Sequence, residues 1–306
     1  MHSYSSFILI IYFLIFGNFS TAFLPVLAGQ DTINIQDLSY TENNLVGFRQ
    51  LDNKKINLNF GNNIPKSLTY ENSILENGSG VCIGDIDNDG YPDIYLCKIK
   101  GENKLFKNLG NWNFKDITRS SGLAFPSKFS MGCVFLDSDK DEDLDLLVSG
   151  LGEGVTLMIN DGDGRFTASE NSGFLRKYST HTFAVADIDL DGDLDVYCTN
   201  YNTSTIKDNP QTKFNVKLIK QTPKITGIND KDITGTELEH RFFINELGQI
   251  SEMGEPDILY INMGNNVFQP IYVGRDYFKY EDDNLNKDNY YDWGLSAMFG
   301  DLNSDG

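Results

Sequence analysis

The chain has 306 residues, with 44 Asp and Glu against 25 Lys and Arg, for a formal net charge of −19. Hydrophobic residues make up 40% of the sequence and aromatic residues 12%, enough for a packed core in one or two domains, which excludes a wholly disordered chain. Because so acidic a surface repels phosphate backbones, the charge also argues against nucleic acid as a partner.

Residues 1–28 have the pattern of a secretory signal peptide. Ten apolar residues, 7–16, form a run too short to span a bilayer comfortably, and the small residues near Ala28 suit signal peptidase. An uncleaved membrane anchor is the alternative. We therefore expect an exported protein, secreted or periplasmic, with no transmembrane segment in the mature chain.

Three nine-residue acidic segments share one pattern, with Asp at positions 1, 3, 5 and 9. We name them loop 1 (residues 85–93), loop 2 (137–145) and loop 3 (187–195). Residues 301–306 begin a fourth copy, loop 4, at the end of the sequence. The loops carry 15 acidic residues and a single base, Lys140, and a solvated run of charge would not produce this regular spacing.

A second motif follows each complete loop and consists of an apolar pair, an Asn, a Gly turn and a Phe. It occupies residues 105–114, 157–166 and 259–268. The Asn lies 23 residues after the start of loop 1 and of loop 2, but 75 residues after the start of loop 3. The third unit therefore carries 52 extra residues, which we assign to an insertion at 202–254.

Short β-branched and aromatic runs flank every loop, and Gly, Asn and Asp bound these runs, as expected for strands of hairpins. Units of about 50 residues with about four strands each are typical of propeller blades. Since no window shows a sustained helical period, the sequence predicts an all-β propeller with few helices.

Alternate carboxylates in a tight turn can converge on one point, and such hard oxygen ligands select Ca²⁺. Position 7, whose side chain varies, would contribute its backbone carbonyl. The predicted ligands are Asp85, Asp87, Asp89, Tyr91 and Asp93 in loop 1, Asp137, Asp139, Asp141, Asp143 and Asp145 in loop 2, Asp187, Asp189, Asp191, Asp193 and Asp195 in loop 3, and Asp301, Asn303 and Asp305 in loop 4.

An EF-hand is excluded, because position 12 holds Leu96, Val148 or Cys198 in place of the Glu that an EF-hand requires. Loop 2 departs from the other loops at position 6, where Glu142 replaces Gly, and at Lys140, which adds a competing positive charge. We therefore expect weaker metal binding at loop 2. Loop 4 lacks its ninth position in this sequence.

Together these motifs resemble the FG-GAP/VCBS repeats of integrin-α-like propellers, nearest the branch of the cartilage acidic proteins and the UnbV/ASPIC-like proteins. The resemblance covers about residues 35–306. It implies a multi-bladed propeller with Ca²⁺ in the blade hairpins, and it carries the ligand role to the first, third, fifth and ninth positions of each loop. Residues 29–306 are then expected to form about four blades of an incomplete, C-terminally truncated propeller.

Catalytic motifs are absent from the sequence, including G-x-S-x-G, a P-loop and H-E-x-x-H. We therefore expect a non-enzymatic binding or adhesion module with a protein or glycan ligand. The alternatives are a Ca²⁺-dependent enzyme of the polysaccharide lyase type and a passive spacer within a larger surface protein. The Lys-containing insertion is either a ligand-contacting loop or a solvated decoration.

Four cysteines, Cys82, Cys97, Cys133 and Cys198, show no C-x-x-C spacing, so a zinc knuckle or a redox pair is not expected. A disulfide across the first hairpin between Cys82 and Cys97 and small buried thiols are both compatible with their positions.

Overall fold

Antiparallel β-sheets make up nearly all the regular structure of the computed structural model, which describes residues 51–236, 238–272 and 293–300. Over these residues the helical elements are α1 (Lys66–Glu71), a 3₁₀ helix (Ser73–Asn77) and α2 (Thr118–Ser121). No helix in the described ranges is long and apolar enough to cross a membrane. The prediction of an all-β fold with few helices is confirmed.

Two four-stranded sheets follow one another along the chain, each with its strands in sequence order. The first sheet contains β1 (Val81–Gly84), β2 (Asp93–Leu96), β3 (Lys104–Asn108) and β4 (Phe114–Asp116). The second contains β5 (Ser130–Leu136), β6 (Asp145–Gly150), β7 (Gly154–Asn160) and β8 (Phe166–Ala168). Each sheet is a meander of two hairpins, as the two alternating motifs predict.

The third sheet is interrupted by the insertion. It begins with β9 (Thr180–Ala186) and β10 (Asp195–Asn200). The insertion adds β11 (Phe214–Ile219), β12 (Thr222–Ile228), β13 (Lys231–Asp232), β14 (Phe242–Ile244) and β15 (Ile250–Glu252). The sheet then resumes with β16 (Ile258–Asn262) and β17 (Phe268–Tyr272), which lie beside β10 in the order β17-β16-β10-β9. The interrupted unit therefore builds the same four-stranded sheet as the other two.

The innermost strands of the three sheets lie side by side, because β1 contacts β5 and β5 contacts β9. Glycines permit this close approach. A Cβ on Gly80 would lie 3.0 Å from the backbone nitrogen of Cys133, and one on Gly132 would lie 2.5 Å from the carbonyl oxygen of His181. The first strand of each sheet thus packs on the first strand of the next, as in the successive blades of a propeller.

Two apolar cores lie on opposite faces of the second sheet. Strand β6 is buried along its whole length because alternate residues face the two cores, with Leu146 and Val148 in one and Leu147 in the other. Phe166 belongs to the first core and Phe268 to the second, so the Phe that ends the second motif is a packing residue. The cores hold neighbouring sheets together.

All four cysteines are free thiols. Cys82, Cys97 and Cys198 are buried within the cores, and Cys133 is partly buried against the first core. Burial raises the pKa of each of these thiols above its ordinary value. Of the disulfide and the buried thiols that the sequence allows, the structure therefore contains the buried thiols.

Candidate metal centres

The three complete acidic loops join the first and second strands of their sheets and contact one another in sequence. Loop 1 connects β1 to β2, and loops 2 and 3 make the same connection in the other two sheets. The Asn88 side chain donates to Asp143 Oδ1 at 3.0 Å, which links loop 1 to loop 2. Lys140 Nζ lies 2.8 Å from Asp193 Oδ1, which links loop 2 to loop 3. The acidic hairpin tips are therefore neighbours in space.

The first Asp of each loop folds the loop around its own carboxylate. Asp85 accepts hydrogen bonds from the backbone N–H groups of Asp89 at 3.1 Å and Gly90 at 2.7 Å. Asp187 accepts from the residues at positions 5 and 6 of loop 3 at 3.2 and 2.9 Å. Asp137 accepts from positions 4 and 6 of loop 2 at 2.8 and 3.1 Å. This Asx-type bonding is the local reason for the tight turn.

The ninth Asp of each loop is buried and joins the loop to the second motif of its sheet. Asp93 is fully buried and accepts from the backbone N–H groups of Ile86 at 3.1 Å and Asn108 at 2.6 Å. Asp145 and Asp195 make the equivalent bonds to the backbone of their own motif Asn, each at 2.8 Å. Burial raises the pKa of Asp93 and of Asp145 to about 6 and also raises the pKa of Asp195. A nearby cation would favour the charged form of these carboxyls.

In each loop three Asp side chains each bring one carboxylate oxygen within 4.8 Å of the other two. The sets are Asp85, Asp87 and Asp93 in loop 1, Asp137, Asp139 and Asp141 in loop 2, and Asp187, Asp189 and Asp195 in loop 3. Positions 1 and 3 belong to every set, and the third member comes from position 5 or position 9. Among the described residues, the other predicted ligands of these loops lie outside the three sets.

At the third position, loops 1 and 2 each have a carboxylate oxygen without a hydrogen-bond partner. Asp87 Oδ1 and Asp139 Oδ1 are buried and have no hydrogen-bond partner. A buried carboxylate oxygen without a partner costs free energy unless a cation or another donor satisfies it. The converging ligand atoms of these sets are carboxylate oxygens, which suit a hard cation such as Ca²⁺ and not a soft metal.

The fifth and seventh positions have other contacts. The fifth Asp of each loop, Asp89, Asp141 or Asp191, accepts from the backbone N–H of position 7 at 2.8 to 3.0 Å. The side chain at position 7 lies over the Gly turn of the second motif: a Cβ on Gly110 would lie 3.1 Å from the Tyr91 ring. A metal-ligating role for the position 7 carbonyls stays a prediction.

Glu142, at position 6 of loop 2, has a φ of 70°, in the left-handed region that the equivalent Gly90 and Gly192 occupy at 85° and 88°. Position 6 therefore has a positive φ in all three loops, and in loop 2 a residue with a Cβ adopts it. Lys140, by contrast, does not turn back into its own loop, since its ammonium group pairs with Asp193 of loop 3. The sequence reasoning placed this charge in loop 2 because it treated each loop in isolation.

The sequence reasoning also missed Lys107 of β3. Its Nζ contacts Asp87 Oδ2 and lies 3.2 Å from Asp89 Oδ2, and these two carboxylates raise the pKa of Lys107. The lysine therefore presents a full positive charge to loop 1.

The Asn of the second motif ties successive sheets together. Asn160 donates to the carbonyl of Ile86 in loop 1 at 2.8 Å and to that of Leu144 in loop 2 at 3.1 Å. Asn262 likewise donates to Ser138 of loop 2 at 2.9 Å. The Asn of the second motif therefore makes contacts between sheets as well as within its own sheet.

Two sets of predictions lie outside the described residues. Asp301, Asn303 and Asp305 of loop 4 lie within residues 301–306, and the predicted signal peptide, residues 1–28, lies within residues 1–50. Neither range is among the described residues. Both stay predictions.

Comparison with known proteins agrees with this geometry. Residues 85–148 and 137–198 each match the FG-GAP-like repeat. Over 126 residues the chain is similar to cartilage acidic protein 1 from Mus musculus, at 29% identity, and from Xenopus tropicalis and Homo sapiens, at 28%. The match covers 40% of this chain and 20%, 20% and 19% of those relatives, so it spans about one fifth of their length. The resemblance to FG-GAP repeats and to the cartilage acidic protein branch is therefore confirmed, and residues 85–198 of this chain are similar to FG-GAP-like repeats.

Proposed function

We propose that the chain is an exported, calcium-stabilised propeller module that acts in binding or adhesion and not in catalysis. Calcium would be held by the Asp side chains of loops 1, 2 and 3, together with the position 7 carbonyls, and loop 4 would contribute Asp301, Asn303 and Asp305. The ion would neutralise carboxylates that otherwise repel one another at each hairpin tip. Its binding free energy would then become folding free energy.

One observation carries this proposal: converging carboxylates recur in three hairpins, always with positions 1 and 3, and in two of the hairpins a buried oxygen lacks a partner. Charge repulsion alone would drive these side chains apart. The buried ninth Asp of each loop adds a carboxyl that needs a counter-charge when it ionises. The FG-GAP-like repeats and the similarity to cartilage acidic protein 1 support a binding module.

Thermal unfolding in Ca²⁺ and in excess EGTA tests the calcium part. A ligand at 1,000 times its Kd stabilises the native state by about 4 kcal/mol for each site. At roughly 2–4 °C per kcal/mol for a chain of this size, filling one site would raise the Tm by about 10 °C. Equal melting curves in Ca²⁺ and EGTA would contradict the proposal.

A matched pair of variants assigns the effect to a loop. Asp87→Asn removes a charge that belongs to a converging set, whereas Asp163→Asn removes the same charge from the exposed turn between β7 and β8. We expect the first variant to lose part of the Ca²⁺-dependent shift and the second to retain all of it. Mg²⁺ added with EGTA serves as a control for non-specific screening.

We propose that the insertion provides the surface that binds the partner. Residues 209–229 contain Lys213, Lys217, Lys220 and Lys224 and no acidic residue, in a chain of net charge −19. All four lysines are exposed on or beside the β11–β12 hairpin. A cleft of about 510 Å³ beside this hairpin is lined by Ile225, Phe242 and His240 among others. An anionic protein or glycan would complement this charge.

Binding to an acidic and to a neutral polysaccharide tests this surface and also separates it from the lyase alternative. We expect salt-sensitive binding to the acidic polymer, lost on replacement of the four lysines by Gln, with no ultraviolet-absorbing unsaturated product. Product formation that depends on Ca²⁺ would favour the lyase, and equal binding of both polymers would count against the lysine surface.

A further inference from the structure

Strand β3 places a lysine beside loop 1 at a position where the other sheets have isoleucine. Lys107 precedes the Asn of the second motif, and the equivalent residues are Ile159 in β7 and Ile261 in β16. Its ammonium group contacts Asp87 and lies 3.2 Å from Asp89, the third and fifth positions of the loop. The first loop therefore has a positive charge supplied by its own sheet.

The contact is partly shielded from water. The Lys107 side chain is 27% exposed, and the Asp87 side chain is 14% exposed. Charges in such surroundings are screened less than charges on an open surface. A fixed ammonium group at this position attracts the two carboxylates and repels a divalent cation that approaches the same oxygens.

Loop 3 has a more remote lysine. Lys140 reaches it from loop 2, pairs with Asp193 at position 7, and has a side chain that is 51% exposed. The hydrogen bond and the ion pair of Lys140 involve positions 5 and 7 of loop 3, and only its longer-range charge interaction reaches Asp187 at position 1. Of the two lysines, Lys107 is therefore the one that competes directly for a carboxylate of a converging set.

We infer that Lys107 is a tethered competitor of the metal ion at loop 1, which lowers the affinity of this loop for Ca²⁺ and holds its carboxylates together when the ion is not bound. The inference rests on the proposed function, because it assigns loop 1 an affinity lower than its carboxylates alone would give. With Lys107 in place, loop 1 fills at a higher calcium concentration than it would with an isoleucine at position 107.

The test replaces the lysine by the residue that the other sheets carry, in Lys107→Ile. Lys104→Ile is the matched control, because Lys104 lies on the same strand, its side chain is 26% exposed, and it pairs with Asp116 at 2.9 Å outside the loops. Each variant removes one positive charge from the same sheet, and only one of them changes loop 1.

Terbium luminescence gives a readout specific to loop 1. Tb³⁺ binds oxygen ligands as Ca²⁺ does and is excited through a nearby tyrosine, and among loops 1, 2 and 3 only loop 1 has a tyrosine, Tyr91. The part of the signal that Tyr91→Phe removes therefore reports loop 1. Direct titration with Tb³⁺ then measures how tightly that loop binds a hard cation in each protein.

We expect Lys107→Ile to need at least about threefold less Tb³⁺ for half saturation of this signal, the effect of losing one partly screened charge, and Lys104→Ile to match the wild type. The Tm of Lys107→Ile should also fall in EGTA and recover in Ca²⁺. If Lys107→Ile does not fold, Lys107→Gln takes its place with the same expectation. An unchanged or weaker affinity of loop 1 for Tb³⁺ would overturn the inference.

The two proposals fail in different ways. If the wild type shows neither a Tyr91-dependent signal nor a Ca²⁺-dependent Tm shift, both the calcium proposal and the role of Lys107 are overturned. If the wild type responds but Lys107→Ile behaves like Lys104→Ile, only the role of Lys107 is overturned.

Discussion

Asn160→Ala tests whether the second motif holds neighbouring sheets together. The Asn160 side chain is 4% exposed and makes four hydrogen bonds to backbone groups. Two of them are donated to carbonyls of loops 1 and 2, and two are accepted from the Gly turn that follows Asn160. Alanine removes all four at once and leaves the buried carbonyl of Ile86 without this donor.

The loss can be estimated from these contacts. At about 1 kcal/mol for each bond, with little access of water to replace them, we expect the free energy of unfolding to fall by about 3–4 kcal/mol. Asn108→Ala is the internal control, because Asn108 is less buried and its side chain makes two such bonds, to Pro92 and from Gly110. It should cost about half as much.

Urea denaturation of both variants, in Ca²⁺ and in EGTA, measures these differences. The backbone N–H of Asn160 still reaches Asp145 in the alanine variant, so the ninth carboxylate keeps its bond to the second motif. An equal loss in the two variants, or a loss below about 1 kcal/mol for Asn160→Ala, would refute the role assigned to the contact between sheets.

Two further predictions concern backbone strain and protonation. Glu142→Gly should raise the free energy of unfolding by about 0.5–1 kcal/mol, because glycine removes the strain of the left-handed conformation but costs some backbone entropy. Gly90→Ala should lower the free energy of unfolding by about 1 kcal/mol through the same strain, since its Cβ would meet no other atom within 4 Å. Urea midpoints measure both, and a stabilising Gly90→Ala would contradict the argument. Burial lowers the pKa of His181, whose Nδ1 donates to Ser179 O at 3.0 Å, so its neutral form is favoured in the native state. The contribution of His181 to stability should therefore be lost as the pH falls below about 6.5, whereas the raised pKa values of Asp93 and Asp145 act in the opposite direction. The stability of His181→Gln relative to that of the wild type should then rise between about pH 7 and pH 5.5 in the same urea titration. Parallel pH profiles of the two proteins would exclude His181 as the cause.

Much of the fold could be predicted because its determinants are local. The first Asp of each loop bonds to backbone groups three to five residues away, and Gly or Asn sets the turns, so the nine-residue spacing itself predicts a hairpin tip. The in-phase second motif predicts the outer hairpin of each sheet. The 52-residue excess predicts an insertion in the third unit, and in the structure β16 pairs with β10 after five intervening strands.

The candidate site could be predicted only in part. The sequence indicates which Asp residues recur, but not that the ninth Asp is buried between the loop and the second motif, with a pKa raised to about 6 at Asp93 and Asp145. That burial depends on the packing of the whole sheet. The partner of Lys140 could not be predicted for the same reason, since the loop that accepts its charge belongs to another unit.

The acidic positions, the hairpin tips and the second motif can be inferred from the amino-acid sequence, because each depends on neighbours within a few residues along the chain. Which units meet follows only from the packing of the sheets: Asn160 bonds to Ile86 across 74 residues of sequence, and Asn262 bonds to Ser138 across 124. The tertiary structure also brought Lys107 to loop 1 and Lys140 to loop 3. These contacts follow from how one sheet packs on the next, and no periodicity along the chain specifies which charges that packing brings together.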